Sequence, residues 1–228
     1  MFFDVGGTLL DPYPSFAERF AMVLVDHGYD VDVTTIRAGL DTLPDRFVRA
    51  AADGDRWTTS PDRSRRFWGS VYDGVLERAG VPAVDGLGDA LYETFTSFAT
   101  YRLFPDVLEA LAALRGRGDR LGVVSNFEAW LPELLGHLEV RDLFDVRVIS
   151  GIEGVEKPDP AIFELALYRA GVPAADATYV GDVPALDVDP PRALGMGAVL
   201  LDRRDRYPEH EGPRIGDLRM LPSTLANA

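Results

Sequence analysis

Two patterns of apolar and polar residues divide this chain. From Arg102 onward, stripes of helical spacing take turns with short apolar runs. Val107, Leu108, Leu111 and Leu114 share one helix face, and Gly116 and Gly118 mark its end. A strand is predicted over Leu121–Ser125, then a stripe of Leu131, Leu134, Leu135 and Leu138, then a strand over Phe144–Ile149. Asp159-Pro160 opens another helix, with Ile162, Phe163, Ala166, Leu167 and Ala170 inside and Gly171 as its stop. A strand at Thr178–Gly181, a helix over Ala185–Leu194 and a strand at Ala198–Leu201 complete the series. The tail from Arg203 reads as polar and irregular, apart from a short strand at Ile215–Leu218. Alternation at these lengths predicts right-handed βαβ units and a parallel sheet with helices on both faces.

Residues 13–101 follow the helical period alone. The predicted helices are Ser15–His27, Thr34–Ala52, Pro61–Ala79 and Asp89–Thr100. Phe67, Trp68, Val71, Tyr72, Val75, Leu76 and Ala79 form one broad stripe on the third, the spacing of bundle packing. Proline marks both crossings, in Asp11-Pro12-Tyr13-Pro14 and Leu103-Phe104-Pro105. The expected architecture is a Rossmann-like, doubly wound α/β core made of residues 1–12 and 102–228, with residues 13–101 inserted as an α-helical cap. The first strand is short, because only Met1-Phe2-Phe3 precedes Asp4; a buried strand usually runs about 5–6 residues, so a truncated strand or a start further upstream is expected.

Charge and composition narrow the partners. The balance of 23 basic and 37 acidic residues gives −14, a field that repels nucleic acid and anionic membrane surfaces. It opposes anionic substrates too, so a phosphate site here needs local cations or a metal. The chain has no cysteine, which excludes disulfides, thiolate nucleophiles and thiolate metal sites. Its three histidines are scattered, and His27 and His210 sit in polar stretches that predict solvated surface. No apolar run approaches the ~20 residues of a membrane span, and with only Met1-Phe2-Phe3 ahead of Asp4 no signal peptide is expected. The expected location is the cytoplasm.

Candidate chemistry gathers at predicted strand ends, where open parallel sheets bind ligands. Lys157 is the one lysine against 22 arginines, within Glu156-Lys157-Pro158-Asp159-Pro160. Asp4-Val5-Gly6-Gly7-Thr8 follows the first strand, Ser125-Asn126 ends the second, and Gly181-Asp182 ends Thr178-Tyr179-Val180, with Asp187 five residues on. Taken singly, Asp4 could cap a turn, Asp182 a helix, and Lys157 could be a surface lysine. Their order is harder to explain that way.

In order and spacing these four segments resemble the haloacid dehalogenase-like hydrolase superfamily across nearly the whole chain, including the place of the helical insertion. Val123-Val124-Ser125-Asn126-Phe127, and the stretch from Asp187 to Gly195-Met196, are most similar to its rhythmically-expressed-gene-like branch. The resemblance implies Asp4 as a nucleophile that forms an aspartyl-phosphate. It implies Gly6-Gly7 for a tight turn with close approach to an anion, and Thr8 to bond the turn and position Asp4. Ser125 and Asn126 would hold phosphoryl oxygens, with Gly7 beside them, and Lys157 would neutralise charge on those oxygens and orient Asp4. Asp4, the Gly6 carbonyl and Asp182 supply hard oxygen ligands for Mg²⁺, with Asp187 as an outer carboxylate. The implied substrate is a small phosphorylated molecule.

One position departs from that pattern. Most phosphatases of the superfamily carry a second aspartate, the general acid and base, where this chain has Gly6. General acid–base catalysis is worth about 10²–10⁴-fold, so a slow phosphatase is expected. Phosphonoacetaldehyde hydrolases also lack that aspartate but use a cap lysine, absent here. The 2-haloacid dehalogenases usually replace the Gly-Asp of the last motif, which this chain keeps, and carry an aromatic residue where it has Gly6. A non-catalytic phosphate- and metal-binding regulatory protein is the alternative from another class. Arg37, Arg46, Arg49 and Trp57 are candidates for substrate contacts from the inserted segment.

Overall fold

The computed structural model describes residues 1–82 and 84–226. The chain folds as two compact units, Met1–Leu10 with Leu103–Ala228, and Asp11–Arg102. In the first unit six strands build one sheet: β1 (Phe2–Phe3), β2 (Gly122–Ser125), β3 (Val146–Ile149), β4 (Thr178–Gly181), β5 (Gly197–Leu201) and β6 (Arg214–Ile215). Their spatial order is β3-β2-β1-β4-β5-β6, and all five neighbouring pairs run parallel. This is a Rossmann-like, doubly wound α/β sheet. The strand order reverses direction at β1 and β4, the switch point where such sheets bind ligands.

The sheet is apolar on both faces because helices cover both. Phe3, Val123, Val124, Val180 and Leu200 are fully buried. Ile162, Phe163 and Ala166 of the helix Pro160–Ala170 pack on Phe2, Val124, Val148 and Tyr179. Burying each such large side chain contributes about 1.5–3 kcal/mol. That helix starts and stops as its sequence predicts: Asp159 accepts from the Ala161 N–H, and Gly171 closes it at φ 66°. The two residues of β1 are held from both sides, Phe2 opposite Gly122 and Tyr179, Phe3 opposite Val123 and Val180. So short a strand is stable because it is central.

Three predicted elements differ from the structure. The helix expected over Thr34–Ala52 is two, Val33–Leu40 and Leu43–Ala52. Pro44 lacks the N–H that would bond the Leu40 carbonyl, so the helical ladder is interrupted at Asp41-Thr42 and restarts with Pro44 in the first turn of the second helix. The helix expected over Ala185–Leu194 is likewise Pro184–Asp187 followed by Asp189–Ala193, parted at Val188 ahead of Pro190 and Pro191. In the tail, the strand is Arg214–Ile215, and Leu218–Met220 is a 3-10 turn. His210 is half-buried and His27 exposed.

The second unit is helical: Phe16–Asp26, Val33–Leu40, Leu43–Ala52, Pro61–Arg78 and Leu87–Thr96. Val71, Tyr72, Val75 and Leu76 of the predicted stripe lie in its core with Phe20, Leu24, Leu91 and Phe95, and Phe67 and Trp68 pack against them. The segments at its two ends, Leu10–Pro12 and Tyr101–Leu103, pair as a short ribbon. No described helix is long and apolar enough to cross a membrane.

Candidate active site

Asp4 leaves β1 with its N–H on the Val180 carbonyl at 2.9 Å, so the backbone of the neighbouring strand fixes where its side chain begins. The chain then turns sharply. Leu9 N–H returns to the Val5 carbonyl at 2.8 Å, and Gly7 N–H to the Leu10 carbonyl at 2.9 Å. Gly7 adopts φ 72°, and a Cβ there would stand 2.6 Å from Asp182 Oδ2. Glycine is required at position 7 on both counts. Gly6 differs: its φ lies outside the left-handed region, and a Cβ would meet nothing within 4 Å. Arg203 clamps the far side of the turn. It donates to the Thr8 carbonyl at 3.0 Å and makes a two-pronged pair with buried Asp106, at 2.8 and 3.0 Å.

The other segments converge on Asp4. Ser125, at the end of β2, donates its hydroxyl to Asp4 Oδ1 at 2.9 Å. Lys157 Nζ reaches the same oxygen at 2.9 Å and Asp187 Oδ1 at 2.6 Å. All three side chains are buried, Lys157 at 3% exposure. Asp187 Oδ2 accepts the Val183 N–H at 2.9 Å, which engages both of its oxygens. Gly181 makes room for it, since a Cβ there would collide with the Asp187 carboxyl.

Asn126, expected to contact phosphoryl oxygens, is bonded to the backbone of Lys157 instead. Its Nδ2 donates to the Lys157 carbonyl at 2.9 Å, and its Oδ1 accepts the Lys157 N–H at 2.7 Å. It fixes the loop that carries the ammonium. Thr8 is buried, and its hydroxyl makes a long 3.5 Å contact with Asp182 Oδ1. Trp57 is buried against Phe67 and Phe47, with ring centroids at 4.4 and 5.3 Å, so it is core rather than a free contact surface. Arg46 lies over Gly74 and reaches the Ser70 carbonyl at 3.5 Å, while Arg37 and Arg49 are exposed.

One member of the cluster escaped the sequence reading. Tyr179, fully buried in β4, accepts from Lys157 Nζ at 3.1 Å and donates to the Val124 carbonyl at 2.6 Å. Its signal was a hydroxyl-bearing ring in an apolar strand three residues before Asp182, where phenylalanine would fill the same volume.

Charge in this site is unbalanced. Oxygens of Asp4, Asp182 and Asp187 lie within 4.8 Å of one another, and Lys157 is the cation among them. Burial drives the Asp187 carboxyl above its ordinary range, against the pull of Lys157. For Lys157, burial acts to lower the ammonium, but Asp187 and Asp4 outweigh it and hold the group well above its ordinary value. Three carboxylates against one ammonium leave two negative charges, which a divalent cation would balance, and an all-oxygen donor set suits a hard one. Asp4 Oδ2 takes no protein hydrogen bond among the described residues and is open to a metal or a phosphorus atom.

Comparison with known proteins identifies the family. Human haloacid dehalogenase-like hydrolase domain-containing protein 3 is 32% identical over 203 residues, covering 87% of this chain and 79% of that protein. The mouse protein of that name is 39% identical over 141 residues, 60% of this chain, and the match spans little more than half of it, 56%. A glyceraldehyde 3-phosphate phosphatase from Pyrococcus abyssi is 31% identical over 205 residues, covering 87% of this chain and 79% of that enzyme. Among solved structures, the HAD-hydrolase YfnB from Bacillus subtilis, bound to magnesium, superposes with a TM-score of 0.77 at 18% identity, covering 99% of this chain and 97% of that one. The haloacid dehalogenase-like hydrolase family profile matches residues 1–195, and the chain belongs to that family.

Proposed function

We propose that this hydrolase cleaves small phosphate monoesters through a phosphorylated Asp4, with Mg²⁺ as cofactor, slowly for want of a general acid and base at Gly6. The observation that carries the reading is the asymmetry of Asp4: Oδ1 is held by Ser125 and Lys157, while Oδ2 is open. Two donors on one oxygen fix the carboxylate's rotation and aim the other oxygen at an incoming phosphorus. Oδ2 attacks, the P–O bond to the leaving group breaks, and an acyl phosphate forms on Asp4. Water then cleaves that acyl phosphate and restores the carboxylate. Lys157 and Ser125 steady the oxygens on which charge develops. Asp4 and Asp182 would hold the metal, joined by the Gly6 carbonyl, with Asp187 behind them holding Lys157. Bound Mg²⁺ supplies positive charge to the phosphoryl oxygens. The inserted helical unit is read as the cap of the family. A soluble cytoplasmic enzyme fits the apolar pattern and the acidic charge.

The phosphatase named among the relatives supports the substrate class. Gly6 favours a second reading, a regulatory protein that binds phosphate and metal without turnover. Dehalogenation is a weaker third, because Asp182 is kept. The experiment is turnover of 4-nitrophenyl phosphate with and without Mg²⁺, against Asp4→Asn. Metal-dependent release that disappears in the variant supports hydrolysis; no release from the folded wild type favours the binding protein.

A further inference from the structure

An ammonium has three N–H donors and no acceptor. At Lys157 each donor meets an oxygen: Asp187 Oδ1 at 2.6 Å, Asp4 Oδ1 at 2.9 Å and the Tyr179 hydroxyl at 3.1 Å. The two carboxylates supply the charge; the phenol is neutral. Its own proton is committed by its neighbours, because the Val124 carbonyl, 2.6 Å away, can only accept. A lone pair is therefore left to face the ammonium. The ring is fixed as well, packed edge-on against Phe163 at 5.2 Å and 79°.

We propose that Tyr179 is a positioning residue for hydrolysis, holding the Lys157 ammonium nitrogen where an N–H stays on Asp4 Oδ1. With Cε, the three oxygens fill the four tetrahedral directions around the nitrogen, so the phenol completes the set of contacts that fixes where Nζ sits. The same phenol grips the carbonyl of Val124, the residue before Ser125, so both donors to Asp4 Oδ1 are referenced to one rigid group. Packing alone does not account for the hydroxyl. A phenylalanine fills the same volume, whereas a buried phenol requires partners. The inference rests on the role proposed for Lys157, but its test reads the ammonium itself.

Lys157 is the sole lysine, so ¹⁵N-lysine labelling gives a single side-chain ammonium signal. Tyr179→Phe should raise exchange of the ammonium protons with solvent by about 3–10-fold, the effect of one lost hydrogen bond. It should lower kcat by a similar ~3–10-fold with KM little changed. Tyr72→Phe, which removes another buried hydroxyl in the helical unit, should move neither. Unchanged exchange in Tyr179→Phe, or an equal rise in Tyr72→Phe, overturns the inference. Faster exchange in a chain with no turnover supports the positioning and overturns the hydrolase reading instead. Should Tyr179→Phe not fold, the wild type decides: cross-relaxation between the Lys157 ammonium protons and the Tyr179 ring is required, and its absence overturns the proposal.

Discussion

Lys157 Nζ stands 2.6 Å from Asp187 Oδ1, and both side chains are buried. A buried pair of this kind contributes little net stability, but breaking it by removing one partner costs about 3–5 kcal/mol. Its value is geometric: Asp187 pins the ammonium and is itself pinned by the Val183 N–H.

Alkaline stability follows from this cluster. Lys157 is held well above its ordinary value, and burial pushes the Tyr179 phenol up likewise. Both groups keep their protons in the folded chain after the unfolded chain begins to lose them near pH ~10. Their contribution is therefore complete below about pH 10 and is lost as pH climbs through the folded values. Asp187 acts at the other end; its raised value disfavours the folded state above the carboxylate range and produces no alkaline loss. Urea midpoints between about pH 10 and 12 should fall more steeply for wild type than for Lys157→Met. Parallel curves would remove Lys157 as the source.

Charge alone should not rescue position 157. A guanidinium is a planar fork and cannot direct three donors at oxygens arranged around one point. Lys157→Arg should lose activity nearly as fully as Lys157→Ala, on the order of 10²–10³-fold. Wild-type-like kinetics in the arginine variant would contradict the geometry.

The two adjacent glycines should answer oppositely. Gly7→Ala places a methyl against Asp182 at a positive φ, so weaker Mg²⁺ binding and a destabilised fold are expected. Gly6→Asp meets open space. It should fold and speed hydrolysis of alkyl phosphates by up to ~10²–10⁴-fold, and aryl phosphates less. Steady-state kinetics over esters of graded leaving-group pKa check this. A flat dependence in the wild type would mean that another residue protonates the leaving oxygen.

Metal affinity should separate the acidic residues. Calorimetric titration with Mg²⁺ should show no binding to Asp182→Ala, and a weakening of about 10–100-fold in Asp187→Asn, which acts from behind. Equal affinities in Asp182→Ala and wild type would displace the metal site.

Much of the fold was legible because the apolar period is unambiguous where strands are buried on both faces, as in Gly122–Ser125 and Thr178–Gly181. The breaks at Asp41-Thr42 and Val188 were not, because a stripe of apolar residues continues across a kink while the hydrogen-bond ladder does not. In the site, Asp4, Ser125, Lys157 and Asp187 meet because strand ends converge, which spacing foretells. Partner choice is not foretold. Nothing in Ser125-Asn126 says that the amide turns to the Lys157 backbone, and Tyr179 is indistinguishable from a core aromatic until its hydroxyl is placed. Such contacts depend on side-chain direction across three strands, and chain order carries no record of that.

The central claim is that Asp4 becomes phosphorylated, and acid-quenched mass spectrometry tests it most directly. Wild-type protein mixed with Mg²⁺ and an aryl or acyl phosphate should carry one acid-stable, base-labile phosphoryl group, mapped to the peptide containing Asp4. The intermediate should accumulate, because Gly6 offers no base to activate the hydrolytic water, and should drain faster in Gly6→Asp. Asp4→Asn should carry none. Product release by the wild type without any phosphoryl group on Asp4, or labelling that persists in Asp4→Asn, would contradict the account.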